Sequence, residues 1–118
     1  MQLDTETKPL WTATREAMGK TWTVELWPDD ATMSKEGGSE LGFVRHSRQV
    51  IRLNAAMPSD SRDETALHEI LHACANLGQV KMREQDVEVI SNILYAFLRG
   101  FGLWNEFPWP DREQAEAK

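Results

Sequence analysis

The amino-acid sequence predicts an α+β fold in which a small antiparallel or mixed β-sheet is followed by two antiparallel helices. Three observations predict it: polar and apolar residues alternate over residues 20–27, two short apolar arms occupy residues 41–53, and apolar residues recur at helical spacing over residues 66–98. A chain of 118 residues is long enough to bury one hydrophobic core. We therefore expect a single domain spanning residues 1–118.

The composition argues against several kinds of partner. Thirteen Lys and Arg residues face 19 Asp and Glu residues, which gives a net charge of −6 at pH 7. Nucleic acid and anionic membranes favour basic surfaces, and no segment approaches the roughly 18 apolar residues of a membrane span. With Cys74 as its only cysteine and no signal-like start, the chain is expected to be cytoplasmic, without nucleic acid or membrane as a partner.

The first predicted strand follows a peripheral N-terminal arm. Apolar positions are scattered over about residues 1–20, and this predicts an arm or a weak helix that ends before Gly19. Residues 20–27 alternate strictly, as in a half-buried strand, and Pro28 ends the pattern. The inward side of this strand is predicted to carry Trp22, Val24 and Leu26.

A β-hairpin is predicted over residues 41–54. Phe43 and Val44 lie in one apolar arm, Ile51 and Leu53 lie in the other, and the turn falls near residues 46–48. Three strands are therefore expected before the helices. The pattern does not decide whether the strand over residues 41–45 lies at the edge or in the middle of the sheet.

The first helix is predicted to begin shortly after Pro58. Ser59, Asp60 or Ser61 can cap it, and Glu64 stands three residues after Ser61 as in a capping box. Its residues are apolar on nearly every side, so the helix is expected to be mostly buried and to stop at the cap residue Gly78.

The second helix is predicted from apolar residues at helical spacing that continue to Gly100. The tail over about residues 103–118 contains two prolines and a charged end, and we expect it to be peripheral. The apolar positions of the second helix are Val87, Ile90, Leu94, Phe97 and Leu98.

The first helix carries the run His68-Glu69-Ile70-Leu71-His72. Residues four apart lie on one face of a helix, so His68 and His72 can bind one metal ion, and Glu69 is placed to act as a general base on water at that ion. The alternative is a buried helix with two hydrogen-bonded core histidines, because three fixed positions also occur by chance. Ionisable groups in an apolar helix cost several kcal/mol unless paired or metal-bound, which favours the metal.

A third metal ligand is expected from the second helix. Catalytic zinc normally takes three protein ligands and leaves one position for water. Glu84 follows Gly78 by the same six residues that separate His72 from Gly78, so antiparallel helices would bring it level with His72. Helical periodicity does not separate Glu84 from Asp86, and acidic residues also favour a helix's first turn because they complement its dipole.

At these residues the sequence resembles small phage or prophage metallopeptidases of the zincin group, related to the ImmA/IrrE-like proteins. The resemblance rests on "QVIRLN", "TALHEILHA" and "EQDVEVIS", within residues 41–98. It implies a minimal zincin-like fold and one Zn²⁺ per chain, held by His68, His72 and Glu84. It also implies that Glu88 supports a ligand from the outer shell, and that the chain works in the cytoplasm of a bacterial host.

These residues predict a zinc-dependent peptidase, a hydrolase that cleaves a protein or peptide substrate with a zinc-activated water and Glu69 as general base. If the strand over residues 41–45 lies at the sheet edge, it can align an extended substrate by strand addition. Three polar side chains are candidates to donate to the developing oxyanion, each more typical of a structural role: Tyr95, His46 and Arg45.

Two other functions remain open at this stage. One is a non-catalytic, zinc-stabilised phage interaction or regulatory domain that uses the aromatic side chains of the tail region as a contact surface, although such residues often cap the core of a small chain. The other lacks a metal altogether. The oligomeric state and the natural substrate do not follow from the sequence. The aromatic residues concerned are Trp104, Phe107 and Trp109.

Overall fold

Four strands and two helices form the part of the chain described by the computed structural model, which covers residues 8–28, 42–104 and 107–110. The predicted α+β class is confirmed. The strands are β1 (Trp11–Ala17), β2 (Lys20–Trp27), β3 (Gly42–Arg45) and β4 (Val50–Asn54), and the helices are α1 (Ser59–Gly78) and α2 (Glu84–Gly100). A short 3-10 turn, His46–Arg48, joins β3 to β4.

The sheet is mixed, with the order β1-β2-β4-β3. β1 pairs antiparallel with β2, β2 pairs parallel with β4, and β4 pairs antiparallel with β3. The predicted hairpin is confirmed, since Val44 lies opposite Ile51 across β3 and β4. β3 occupies an edge of the sheet formed by the described strands.

The prediction of an arm or weak helix at the N-terminus is wrong for Trp11–Ala17, which forms β1. β1 is an edge strand with no fully buried residue, so it lacks the alternation that marks β2. It turns into β2 through Met18 and Gly19, both with positive φ, of 55° and 74°. Two-residue hairpin turns with this backbone usually carry Asn-Gly or Asp-Gly, and Met-Gly gives no such signal. Residues 1–7 of the predicted arm lie outside the described residues.

The core lies between the sheet and α1, which packs against β3 and β4. The alternation over β2 buries Trp22, Val24 and Leu26, as predicted. Leu26 and Leu53 are completely buried on neighbouring strands. A separate cluster on β2 and β3 joins Trp27 and Phe43. The core residues are Trp22, Leu26, Ile51, Leu53, Ala55, Met57, Ala66 and Ala73.

The ends of α1 differ from the prediction. The helix begins at Ser59 with Pro58 at the N-cap position, and no side chain caps it, so the predicted Ser61–Glu64 capping box does not form. At the other end Gly78 is the last helical residue. The left-handed cap is Gln79, with φ 57°, whose N–H donates to the carbonyls of Ala75 and Asn76.

The predicted burial of α1 on nearly every side is also wrong. Ile70, Cys74 and Leu77 are exposed, because the sheet and α2 cover only part of the helix. α2 packs on α1 and buries Val87 and Ser91. None of the described helices is long and apolar enough to cross a membrane.

Residues 107–110 of the tail pack on the body of the domain, more closely than the sequence predicts. The indole N–H of Trp109 donates to Oδ1 of Asp63 at 2.8 Å, and its ring contacts the Trp11 ring at 5.6 Å between centroids. The buried Arg62 donates to the carbonyls of Pro110 at 2.5 Å and Ala55 at 3.1 Å. This part of the tail therefore links α1 to β1.

Candidate metal centre

α1 places the two histidines on one side of the helix, one turn apart. The ring centroids of His68 and His72 lie 5.0 Å apart, and both side chains are partly buried. The apolar side of α1 that packs on the sheet fixes the rotation of the helix. Both rings consequently face the start of α2.

Glu84, the first residue of α2, meets both histidines. Its Oε2 lies 2.8 Å from Nε2 of His68, and its Oε1 lies 2.9 Å from Nε2 of His72. One ligand atom from each of the three side chains lies within 4.8 Å of the other two. The helices are joined by only a short connection, so the start of α2 stays beside the second half of α1.

Asp86, the alternative third ligand, is engaged elsewhere. Its carboxylate accepts hydrogen bonds from the Arg83 backbone N–H at 3.2 Å and from the Arg83 guanidinium at 2.9 and 3.1 Å. This capping box starts α2, and the hydrogen bonds from Arg83 lower the pKa of the Asp86 carboxyl. The structure therefore brings Glu84 to the histidines, while Asp86 holds the helix end that carries Glu84.

The three side chains fit the ion that the sequence predicts. Two imidazole nitrogens and one carboxylate are a donor set that zinc takes in catalytic sites. Ligand atoms of a tetrahedral zinc site lie about 3.3 Å apart, and one ligand atom from each of the three side chains here lies within 4.8 Å of the other two, so a small movement would bring them to that spacing. Glu84 is largely exposed, which leaves it free to make this movement.

Glu69 lies beside the three candidate ligands with a different environment. Its side chain is buried, at 4% exposed, and its carboxyl makes no hydrogen bond to a described residue. Loss of water contact, and next the nearby charge of Glu84, raise the pKa of Glu69 to about 8. The metal-free chain thus keeps a proton on this group at neutral pH, at the position predicted for the general base.

A cleft of about 350 Å³ opens between α1 and α2 at this centre. It extends from His68, Glu69 and Glu84 along both helices. Glu88, the predicted outer-shell residue, is exposed and lines the cleft, and among the described residues its carboxylate makes no hydrogen bond to either histidine. The full lining is Ser61, Glu64, Thr65, His68, Glu69, Glu84, Glu88, Ser91 and Asn92.

Five of these lining residues were not singled out in the sequence as site residues: Ser61, Glu64, Thr65, Ser91 and Asn92. The helical spacing of these residues could have identified them from the sequence. Along α2, Glu88 and Ser91 follow Glu84 at four and seven residues, so they share a face with this candidate ligand. The same helical spacing, counted back from His68 along α1, identifies the residues of the opposite wall of the cleft.

His46 is the one considered oxyanion donor that the structure places near the histidines. It follows β3 directly, its Nδ1 is buried without a hydrogen-bond partner among the described residues, and its pKa is lowered by burial and by His72. Tyr95 instead accepts a hydrogen bond from Arg99 at 3.0 Å on α2. Arg45 is half-buried at the end of β3.

The aromatic residues considered as a contact surface are engaged within the chain. Trp104 is partly buried and meets the Tyr95 ring edge-on at 5.6 Å, and the Phe107 and Trp109 rings contact each other at a tilt, with 4.7 Å between centroids. They cap the ends of the helices and the sheet.

No protein-family model, curated protein or solved structure matches the chain. Function is therefore inferred from the site itself.

Proposed function

We propose that the chain is a zinc-dependent peptidase in which His68, His72 and Glu84 hold one Zn²⁺ and Glu69 is the general base. The observation that supports this best is the convergence of two imidazole Nε2 atoms and a carboxylate from two helices, with a buried carboxyl next to them. Three protein ligands leave a fourth zinc position open, which is the arrangement of catalytic sites.

Zinc, when bound, supplies a Lewis acid that polarises the peptide carbonyl and lowers the pKa of water. Glu69 then takes a proton from the attacking water as the water oxygen bonds to the carbonyl carbon. As the carbon–nitrogen bond breaks, Glu69 gives that proton to the leaving amine. A carboxyl whose pKa lies near neutral both accepts and returns a proton, and burial of Glu69 moves its pKa upward from the ordinary value toward that range.

The edge position of β3 supports substrate alignment by strand addition. β3 runs along α1 beside the centre: Thr65 lies near Gly42 at its start, and His46 at its end lies close enough to His72 to feel its charge. An extended peptide added alongside β3 would pass the three candidate ligands.

The sequence resemblance points the same way. A minimal zincin-like arrangement places the histidine helix after a sheet and the third ligand on the next helix, and the order of elements here is compatible with it. A phage or prophage origin and a bacterial cytoplasmic location follow from that resemblance alone and belong to the same proposal.

The alternative is a zinc-stabilised interaction or regulatory domain that does not hydrolyse peptides. Such a domain needs the three ligands but has no use for a buried, unpaired carboxyl beside them. The Glu69 carboxyl faces the cleft beside the three candidate ligands, where it can act on water, and this favours hydrolysis over a purely structural metal site.

Metal content tests the ligand set. We expect about one zinc per chain by elemental analysis, and loss of zinc in His68→Ala, His72→Ala and Glu84→Gln, since each removes one of three ligands. Asp86→Asn is the matched control, because Asp86 pairs with Arg83, and it should keep its zinc. Full zinc occupancy in any of the three ligand variants would reject the assignment.

Activity tests the role of Glu69. We expect digestion of an unbiased peptide library by the zinc-loaded chain, and a loss of about 10² to 10⁴-fold in Glu69→Gln with zinc retained. A library left intact by the zinc-loaded chain would support the interaction domain instead. Equal cleavage by the two proteins would remove Glu69 from the mechanism.

A further inference from the structure

The cleft beside the metal centre is unusually acidic for its size. Its volume of about 350 Å³ is at the low end for ligand sites, which gives room for one or two side chains. Four of its nine lining residues are glutamates, and none of the nine is lysine or arginine. The glutamates are Glu64, Glu69, Glu84 and Glu88.

Two of the four glutamates have no role in the proposed peptidase chemistry. Glu84 is engaged with the two histidines, and Glu69 is the proposed proton carrier. Glu64 and Glu88 form no side-chain hydrogen bond or ion pair with any described residue. They therefore offer two free negative charges to whatever enters the cleft.

The position of these two charges is set by helical geometry. Glu88 is four residues after Glu84 on α2, and Glu64 is four residues before His68 on α1, so each lies about 6 Å along its helix from a candidate ligand. Because both line the same cleft, they act on the same occupant. The partial positive charge at a helix start is about half an elementary charge, less than either carboxylate contributes.

Glu69 gives independent evidence that the cleft receives a ligand. Its side chain is more than nine-tenths buried, lines the cleft and has no hydrogen-bond partner in the described part of the chain. A buried carboxyl without a partner is costly, and a polar group entering the cleft would supply what the fold does not.

We propose that the cleft selects substrates with a lysine or arginine side chain on a residue adjoining the cleaved bond, through Glu64 and Glu88. This rests on the proposed peptidase function. The long aliphatic stem of either side chain spans the turn between the zinc ligands and the two carboxylates, where the charged group meets both. Ser61, Ser91 and Asn92 offer further hydrogen-bond acceptors at the same end of the cleft.

The test uses the full zinc-loaded chain and quenched-fluorescent peptides that are identical except at the residues flanking the cleaved bond. We expect kcat/KM for lysine or arginine at one flanking position to exceed that for glutamine by about tenfold, a modest factor because the two carboxylates are accessible to solvent. Glutamate at that position should lower kcat/KM below the glutamine value, and rising salt should shrink the difference.

Glu64→Gln and Glu88→Gln should each reduce the ratio of kcat/KM for the lysine peptide to kcat/KM for the glutamine peptide. The double variant should bring this ratio close to one. Glu16→Gln, an exposed glutamate on β1 away from the cleft, is the matched control and should keep the wild-type ratio. Equal kcat/KM for the lysine, glutamine and glutamate peptides would overturn the inference while leaving the peptidase intact.

A second readout does not need turnover. The zinc-loaded Glu69→Gln chain should bind the lysine peptide about tenfold more tightly than the glutamate peptide by fluorescence anisotropy, and this difference should disappear when Glu64 and Glu88 are also replaced by glutamine. If no peptide in any series is cut, the proposed function fails. If the binding difference is also absent, the acidic cleft does not recognise cations at all.

Discussion

At the scale of single residues, Glu69 must meet two opposing requirements. Its burial disfavours the charged carboxylate and raises its pKa to about 8, yet a proton acceptor must release its proton to work. A cation held by His68, His72 and Glu84 would favour the charged form, because an opposite charge nearby lowers a carboxyl pKa. The protonation state of Glu69 is therefore coupled to metal occupancy.

The first prediction follows for the metal-free chain. Between the ordinary pKa of 4.5 and the folded value of about 8, the unfolded chain releases a proton that folded Glu69 keeps. The free energy of unfolding should thus fall as pH rises through this window, by at most about 1.4 kcal/mol per pH unit. Urea unfolding in the presence of chelator should show a flatter pH dependence for Glu69→Gln than for the wild-type chain.

Glu16→Gln is the control, because it removes a carboxylate that is exposed on β1 and does not line the cleft. It should follow the wild-type pH dependence. Parallel curves for Glu69→Gln and the wild-type chain would show that the carboxyl is ionised in the folded state.

At the scale of the elements, α2 is held by a narrow strip of contacts. Val87 is completely buried against α1, while Val89, two residues on, is 51% exposed. Several large apolar side chains on the outer side of α2 are also exposed. The number of apolar residues in this helix therefore does not show how much of it is buried. The exposed residues of α2 and the turn after it are Val89, Ile90, Ile93, Phe97, Phe101 and Leu103.

The two valines give a matched pair of substitutions. Val87→Ala should lower the free energy of unfolding by about 2 kcal/mol, since it removes two buried methyl groups and leaves a cavity. Val89→Ala should change it by less than about 0.5 kcal/mol. Urea unfolding measures both, and similar losses for the two variants would mean that α2 is rotated on α1 and that Glu84 is placed differently.

Gly42, at the start of β3, lies close against β4. A Cβ there would lie 2.7 Å from the Arg52 carbonyl oxygen and 2.8 Å from Cδ2 of Leu53. Gly42→Ala should therefore push β3 from β4 and cost about 1–3 kcal/mol, an overpacking effect. Because β3 runs beside the centre, the same variant should also lower peptide turnover more than its loss of stability explains.

Gly78→Ala is the control for Gly42→Ala. Gly78 is the last residue of α1, and the nearest atom to its added Cβ is Val80 Cγ2 at an ordinary 3.7 Å. Alanine has the higher helix propensity, so this variant should match or exceed the wild-type stability, by up to about 1 kcal/mol. Urea unfolding with an unchanged midpoint for Gly42→Ala would mean that the β3–β4 contact is looser than described.

At the scale of the whole molecule, the elements that are strongly periodic were predictable and those that depend on a neighbour were not. α1, α2, β2 and the β3–β4 hairpin follow from apolar spacing, because each buries one face. β1 has no fully buried residue to mark such a face, and the Met18–Gly19 turn that leads into β2 lacks the usual sequence signal.

The candidate site also has a part that the sequence predicts and a part that depends on how the two helices pack. The two histidines converge through helical spacing alone, a property of α1. The third ligand depends on how α2 crosses α1, and spacing leaves Glu84 and Asp86 equivalent until the bond from Arg83 to Asp86 is seen. The acidic cleft needs both helices at once, so no single stretch of sequence displays it.

The ion would join these two helices, and this gives the last prediction. Zinc bound to the folded chain alone adds RT ln(1 + [Zn]/Kd), about 2.7 kcal/mol at a hundredfold excess over Kd, which corresponds to a rise in Tm on the order of 10 °C. Thermal melts with zinc and with chelator should differ by this amount in the wild-type chain and not in His72→Ala. Cys74 is an exposed thiol that can bind zinc by itself, so Cys74→Ser is needed as a control and should keep the full response. An equal rise in His72→Ala, or its loss in Cys74→Ser, would place the stabilising zinc outside the helix pair.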